Sequence, residues 1–172
     1  ARQGADGLRP HSLLMTATPI PRTLALTVYG DLDVSVIDAL PPGRSPVVTD
    51  LLREGEGNRI VGIIRETLAR GEQVYVVYPL VEESAKVDLR SALESTERIR
   101  RAFPEAEVGV VHGRLHAEER SHAMDRFASG DTQILIATTV IEVGVDVANA
   151  TLMVVEHAER FGLAQLHQLR GR

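Results

Sequence analysis

From residue 46 onward, short and almost wholly apolar runs alternate with longer stretches in which apolar residues recur every three or four positions. The short runs, at 47–52, 73–78, 107–112, 133–138 and 151–156, include VYVVY, GVVH and ILIAT. They do not alternate apolar with polar, which marks strands covered on both faces, as in parallel sheets. The longer stretches read as helices. In 58–70, Ile60, Ile64 and Leu68 share a face, Asn58 is placed to cap, and Gly71 stops the run. In 88–103, Leu89, Leu93, Thr96, Ile99 and Phe103 share a face that ends at Pro104, and in 117–129 the stripe is Ala123, Met124, Phe127 and Ala128, closed by Gly130. Strand–helix alternation of this kind predicts an α/β layer with a parallel sheet and right-handed crossovers.

The first 45 residues follow a different pattern. After a glycine-rich start, 12–16 (SLLMT) reads as a short strand that Pro19 and Pro21 prevent from continuing. A helix is expected from Pro21 to Tyr29, with Gly30 closing it. Residues 31–45 contain Pro41-Pro42-Gly43 and no clean periodicity, so they read as a linker. A lobe boundary is expected there.

Composition narrows the class. The 172 residues are 44% hydrophobic and 25% charged, enough for one good core and ordinary for a globular chain. No apolar run approaches the ~20 residues of a membrane helix, and the opening residues lack the apolar stretch of a signal peptide. The absence of cysteine excludes a disulfide framework and fits a reducing interior, so a cytoplasmic protein is expected. A formal charge of −5 argues against nucleic-acid binding through a broad basic surface, so any such contact is local. Of 19 basic residues only Lys86 is lysine. That bias suits bidentate recognition of oxyanions, and a GC-rich genome explains it equally well.

In an open parallel sheet, ligands bind beyond the carboxyl ends of the strands. The residues just after the predicted strands are Pro79 to Glu83, His112-Gly113-Arg114, Thr138-Thr139 and Glu156-His157. Strand ends also need polar turn residues, which accounts for part of this clustering. No G-x-x-x-x-G-K-[ST] loop, G-x-G-x-x-G fingerprint, G-x-S-x-G elbow or H-E-x-x-H helix is present. His112 and His116 lie four apart, but a strand end and Gly113 separate them, so no metal site is expected. Arg98, Arg100 and Arg101 read as a solvated helix face.

Three segments carry more information: MTATPIPRT at 15–23, ATTVIEVGVDVANA at 137–150 and GLAQLHQLRGR at 162–172. With His112-Gly113-Arg114 between them, their order and spacing resemble motifs III to VI of superfamily 2 helicases. The resemblance is closest to the RecG family of bacterial DNA helicases and covers essentially the whole chain, including IDALPPGRSPV, LVEES, VHGRL, TTVIEVGVDV and ERFGLAQLHQLRGR. The transcription-repair coupling factors share TATPIPRT and GLAQLHQLRGR and resemble the chain less in the linker and around VIEVGVDV.

The resemblance implies a RecA-like lobe, a mostly parallel sheet with helices on both faces, preceded by a short remnant of a first lobe. Residues 1–30 would be that remnant, 31–45 the linker and 46–172 the second lobe, ending within motif VI. Thr16 and Thr18 would couple the nucleotide site to the track. Thr138 and Thr139, with His112, Gly113 and Arg114, would lie along the nucleic-acid backbone, where hydroxyls and N–H groups suit phosphate and read no base. Gly144 and Asp146 would approach the nucleotide. Gln168 and Arg172 would act in catalysis, Arg172 as the arginine finger on the transferring phosphate. Glu142 lies within motif V without an assigned role. Many relatives carry proline at the position of Ala148, whose absence loosens that turn and removes no ligand.

Taken singly, these residues also have plain readings. Paired threonines at a strand end are common, Asp146 to Asn149 makes an ordinary turn, and an arginine beside glycine is often a solvated surface group. The implied partners are DNA with branched junctions or forks, and the first lobe of the same polypeptide, in a monomer. The implied cofactor is ATP with magnesium, the metal held by the first lobe. The chain alone is expected to be inactive, since it lacks a phosphate loop and the wedge domain that engages branched DNA. The alternatives are a coupling-factor translocase lobe, a non-motor α/β nucleotide-binding domain, or a protein-interaction platform.

Overall fold

Buried, β-branched runs become strands only when each finds a ladder partner, and four of the five predicted runs do. The computed structural model describes residues 13, 15, 35, 37, 46–79, 85–138 and 147–170, with the backbone alone for 85–93. The strands are β1 (Gln73–Tyr78), β2 (Val108–Val111), β3 (Ile134–Thr138) and β4 (Ala150–Val155). They form a sheet of order β2-β3-β1-β4 in which all neighbours are parallel. The fifth run, 47–52, has no regular structure. Val48 and Leu51 are more than four-fifths exposed there; β propensity without a pairing strand does not hold an extended run in a sheet.

Three helices lie within the same unit: α1 (Gly57–Ala69), α2 (Ala85–Ala102) and α3 (Ala117–Ala128). The first starts earlier than expected, with Glu56 rather than Asn58 at its cap position. The Glu56 carboxylate accepts the Arg53 N–H at 2.6 Å. Gly71 (φ +75°) and Gly130 (φ +86°) follow α1 and α3 in the left-handed region that favours glycine. Both stops match the sequence pattern.

Parallel register puts paired residues on one face. Val74, Val76, Ile134, Ile136 and Val108 point to the side where Ile64 of α1 and Phe103, just past α2, complete a buried cluster. Burial of each such side chain is worth about 1.5–3 kcal/mol. On the opposite face Tyr75 meets Phe127 of α3, their ring centroids 4.6 Å apart. Helices therefore cover both faces, which is why the strands read as continuously apolar.

Packing divides the chain into two units, residues 49–162 and residues 1–48 with 163–172. In the second unit the described residues include α4 (Leu163–Arg170), which the apolar pattern did not predict. There Arg170 donates to the Val47 carbonyl at 3.1 Å. The predicted strand at 12–16, the helix at 21–29 and most of the linker lie outside the described residues.

Candidate functional interface at the carboxyl edge of the sheet

The strand register aligns four polar residues at the carboxyl edge. Tyr78 pairs with Thr138 across β1 and β3. One step beyond Val111↔Ala137 places His112 beside Thr138, and one step beyond Val77↔Val155 places Glu156 beside Tyr78. Side chains alternate along a strand. All four therefore fall on the face of Val76 and Ile136, the face that carries the buried cluster.

Tyr78 is buried and shares a hydrogen bond with Ser95 of α2. Ser95 in turn accepts from Arg98 at 2.7 Å. Burial pushes the Tyr78 hydroxyl above its ordinary pKa; the Ser95 bond and Arg98 oppose the shift, and Glu156 adds to it. The sequence pattern placed Arg98 on a solvated face. Its side chain is exposed, but its guanidinium is engaged by Ser95, so α2 is tied to this edge by polar contacts as well as by its apolar stripe.

The next two positions of the rung lack such partners. Thr138 is 2% exposed, and neither its Oγ1 nor Nδ1 of His112 has a hydrogen-bond partner although both atoms are buried. A buried polar atom left unpaired costs on the order of 1–3 kcal/mol. Folded proteins pair nearly all such atoms, so two exceptions on adjacent strands single out this edge.

The other predicted site residues sort by position. His112 ends β2, and its carbonyl accepts the Leu115 N–H at 3.1 Å, closing a turn that leaves Gly113 and Arg114 exposed. Both are placed to meet a ligand arriving from solvent, whereas the Thr138 side chain is covered. Gln168 is exposed on α4, in the other unit. Thr16, Thr18, Thr139, Glu142, Gly144, Asp146 and Arg172 lie outside the described residues. Just past β4, His157 holds φ +52° and ψ +48°, an uncommon conformation for a residue with a Cβ. The sequence reading missed the Tyr78, Ser95 and Arg98 contacts. The one signal for them was a tyrosine hydroxyl at the end of an otherwise apolar strand, a group that needs a partner when buried.

Residues 58–172 match the family of the helicase conserved C-terminal domain. The chain belongs to that family. This helicase C-terminal domain is 54% identical over 172 residues to the ATP-dependent DNA helicase RecG of a Synechocystis species, an alignment covering 98% of the chain and 20% of that protein. It is 55% identical over 166 residues to RecG of Acidithiobacillus ferridurans, covering 96% and 24%. It is similar to a solved structure of RecG bound to a three-way DNA junction, with TM-score 0.73 and 49% identity over 91% of the chain and 20% of that protein. The chain thus spans about a fifth to a quarter of the length of these relatives.

The mixed α/β architecture with its parallel sheet is that of RecA-like helicase C-terminal lobes. Among the described residues no helix is long and apolar enough to cross a membrane. No group of three or more His, Asp or Glu side chains among them is placed to hold a metal ion.

Proposed function

We propose that this domain is the second motor lobe of an ATP-dependent DNA helicase that remodels branched DNA such as stalled forks, and that the chain also carries the tail of the first lobe. The likeness to RecG bound to a three-way DNA junction carries this reading, since it extends over nine-tenths of the chain at 49% identity. The protein-interaction and coupling-factor alternatives have no comparable observation behind them.

In this reading residues 1–30 close the first lobe, 31–45 link the lobes and 46–172 form the second. ATP binds between the lobes, and its hydrolysis supplies the energy for moving one against the other. Gly144 and Asp146 approach the nucleotide, while Gln168 and Arg172 face its transferring phosphate. Arg114, Gly113 and Thr139 line the DNA backbone, where exposed guanidinium, hydroxyl and N–H groups suit phosphate oxygens. Thr16 and Thr18 connect the two functions. Magnesium takes its ligands from the first lobe, and the full protein works as a cytoplasmic monomer.

The test is ATP hydrolysis by the full-length protein with and without three-way-junction DNA. Wild type should be stimulated by the junction. Arg172→Ala should lower hydrolysis by roughly 10³-fold, the effect of removing an arginine finger, and leave ATP binding largely intact. Equal losses of binding and hydrolysis would make Arg172 a binding or folding residue instead. No junction stimulation of wild type would remove the motor reading.

A further inference from the structure

The functional reading leaves the two unpaired atoms unexplained. Thr138 Oγ1 is too deeply covered to meet a DNA phosphate directly, and Nδ1 of His112 is buried although the ring is partly accessible. They occupy neighbouring positions of one rung, on one face, at the ends of adjacent parallel strands. Adjacent strands lie about 4.8 Å apart, so the two side chains stand next to each other. A hydroxyl both donates and accepts, and an imidazole nitrogen does either according to tautomer. The chemistry is complementary, and a rotamer change with a small shift of the strand ends brings the atoms together.

Each atom also sits at the root of a functional segment. His112 opens the turn that presents Gly113 and Arg114. Thr138 is the last residue of β3, directly before the segment that contains Thr139, Gly144 and Asp146. A hydrogen bond between them would lock one strand end to the other and fix both segments in register.

We infer that His112 is a positioning residue for Thr138: their side chains are unpaired in the resting lobe and hydrogen-bond to each other when the motor engages DNA and ATP. This inference rests on the motor reading. It makes the Thr138 hydroxyl an internal latch rather than a DNA ligand. It also explains why a residue expected to touch DNA lies beneath the surface.

Stability and function should then separate, which they would not do for a purely structural pair. In the full-length protein, Thr138→Val replaces an unsatisfied hydroxyl with a methyl group of the same shape, so melting temperature should stay level or rise. Junction-stimulated turnover should fall roughly tenfold or more, as expected when a reacting segment is misplaced. Thr138→Ser and His112→Asn, which keep a hydrogen-bonding atom in place, should stay within about twofold of wild type in turnover, by the same positional argument. The double variant Thr138→Val, His112→Phe should be no worse than the poorer single, because residues acting as one unit are not additive. A lower melting temperature for Thr138→Val, or losses that multiply in the double variant, would overturn the latch. The melting measurement decides this without activity, so it is separable from a failure of the motor reading.

Discussion

The two ends of the sheet are built from similar residue types and treat them differently. At the amino edge every polar group in the central cluster is engaged. Gln73 Nε2 donates to the Phe127 carbonyl at 2.6 Å and to the Thr132 carbonyl at 2.7 Å. Asn149 Nδ2 donates to the Gly71 carbonyl at 3.0 Å and to Gln73 Oε1 at 3.3 Å. Glu72 accepts from Arg70 at 2.8 Å and from the Thr151 hydroxyl at 2.5 Å. The starts of β1 and β4, the end of α3 and the turn before β3 are thereby tied together. At the carboxyl edge, Tyr78, Ser95 and Arg98 are joined while His112 and Thr138 are not. A satisfied polar network rigidifies the fold; an incomplete one is kept where a ligand or another conformation completes it. The difference assigns scaffolding to one edge and work to the other.

The sharpest way to break this comparison is at Gln73. Gln73→Leu leaves the buried Phe127 and Thr132 carbonyls without their side-chain donor and should cost about 3 kcal/mol of unfolding free energy. Urea titration would read this, and turnover per folded molecule should stay near wild type. A Gln73→Leu protein as stable as wild type would show that the amino edge is not the clasp described here.

A smaller loss is expected at Gly109 in β2, where a Cβ would meet Thr132 Cγ2 at 3.0 Å and Leu135 Cδ1 at 3.1 Å. Gly109→Ala should therefore destabilise by about 1–2 kcal/mol through overpacking. An unchanged melting temperature would mean that Thr132 and Leu135 yield without cost.

The gentlest probe is pH. Arg70 and Thr151 hold the Glu72 carboxylate below its ordinary pKa. The unfolded chain takes up that proton first, so the Glu72 contribution is present above the ordinary glutamate value and lost as pH falls through the lowered one. Tyr78 behaves in the opposite sense. Its folded pKa is raised by burial, so its contribution is complete below the ordinary tyrosine value near 10 and lost as pH rises through the raised one. Stability measured against pH should thus lose its acid slope in part with Glu72→Gln and its alkaline slope in part with Tyr78→Phe. Identical slopes in wild type and variants would remove these assignments.

Much of the fold was legible because the strands are covered on both faces. Continuous apolar runs gave β1 at its observed limits and β2, β3 and β4 within one residue at each end, and glycines marked the ends of α1 and α3. The failure at 47–52 has the same root. Val47, Val48 and Leu51 satisfy a local criterion, but a strand is a property of two segments, and only one is visible in a linear pattern. Helix α4 was missed because its apolar residues, Leu163, Leu166 and Leu169, are interrupted by polar ones and none of its residues is buried.

The site was legible as an ordered set of motifs and not as geometry. The sequence placed His112 and Thr138 at strand ends. That they are neighbours depends on β2 and β3 being adjacent, which strand order in the chain does not reveal. The amino-edge clasp left even less trace. Gln73 and Asn149 are 76 positions apart and meet only because β4 lies beside β1.

The assignment of work to one edge and scaffolding to the other is tested most directly by junction-stimulated ATP turnover per folded molecule of the full-length protein, measured for Gln73→Leu and Thr138→Val side by side. The predicted result is near wild-type turnover for Gln73→Leu and a loss of roughly tenfold or more for Thr138→Val, the expected effect of misplacing a reacting segment. Turnover preserved in Thr138→Val, or lost equally in both, would contradict it.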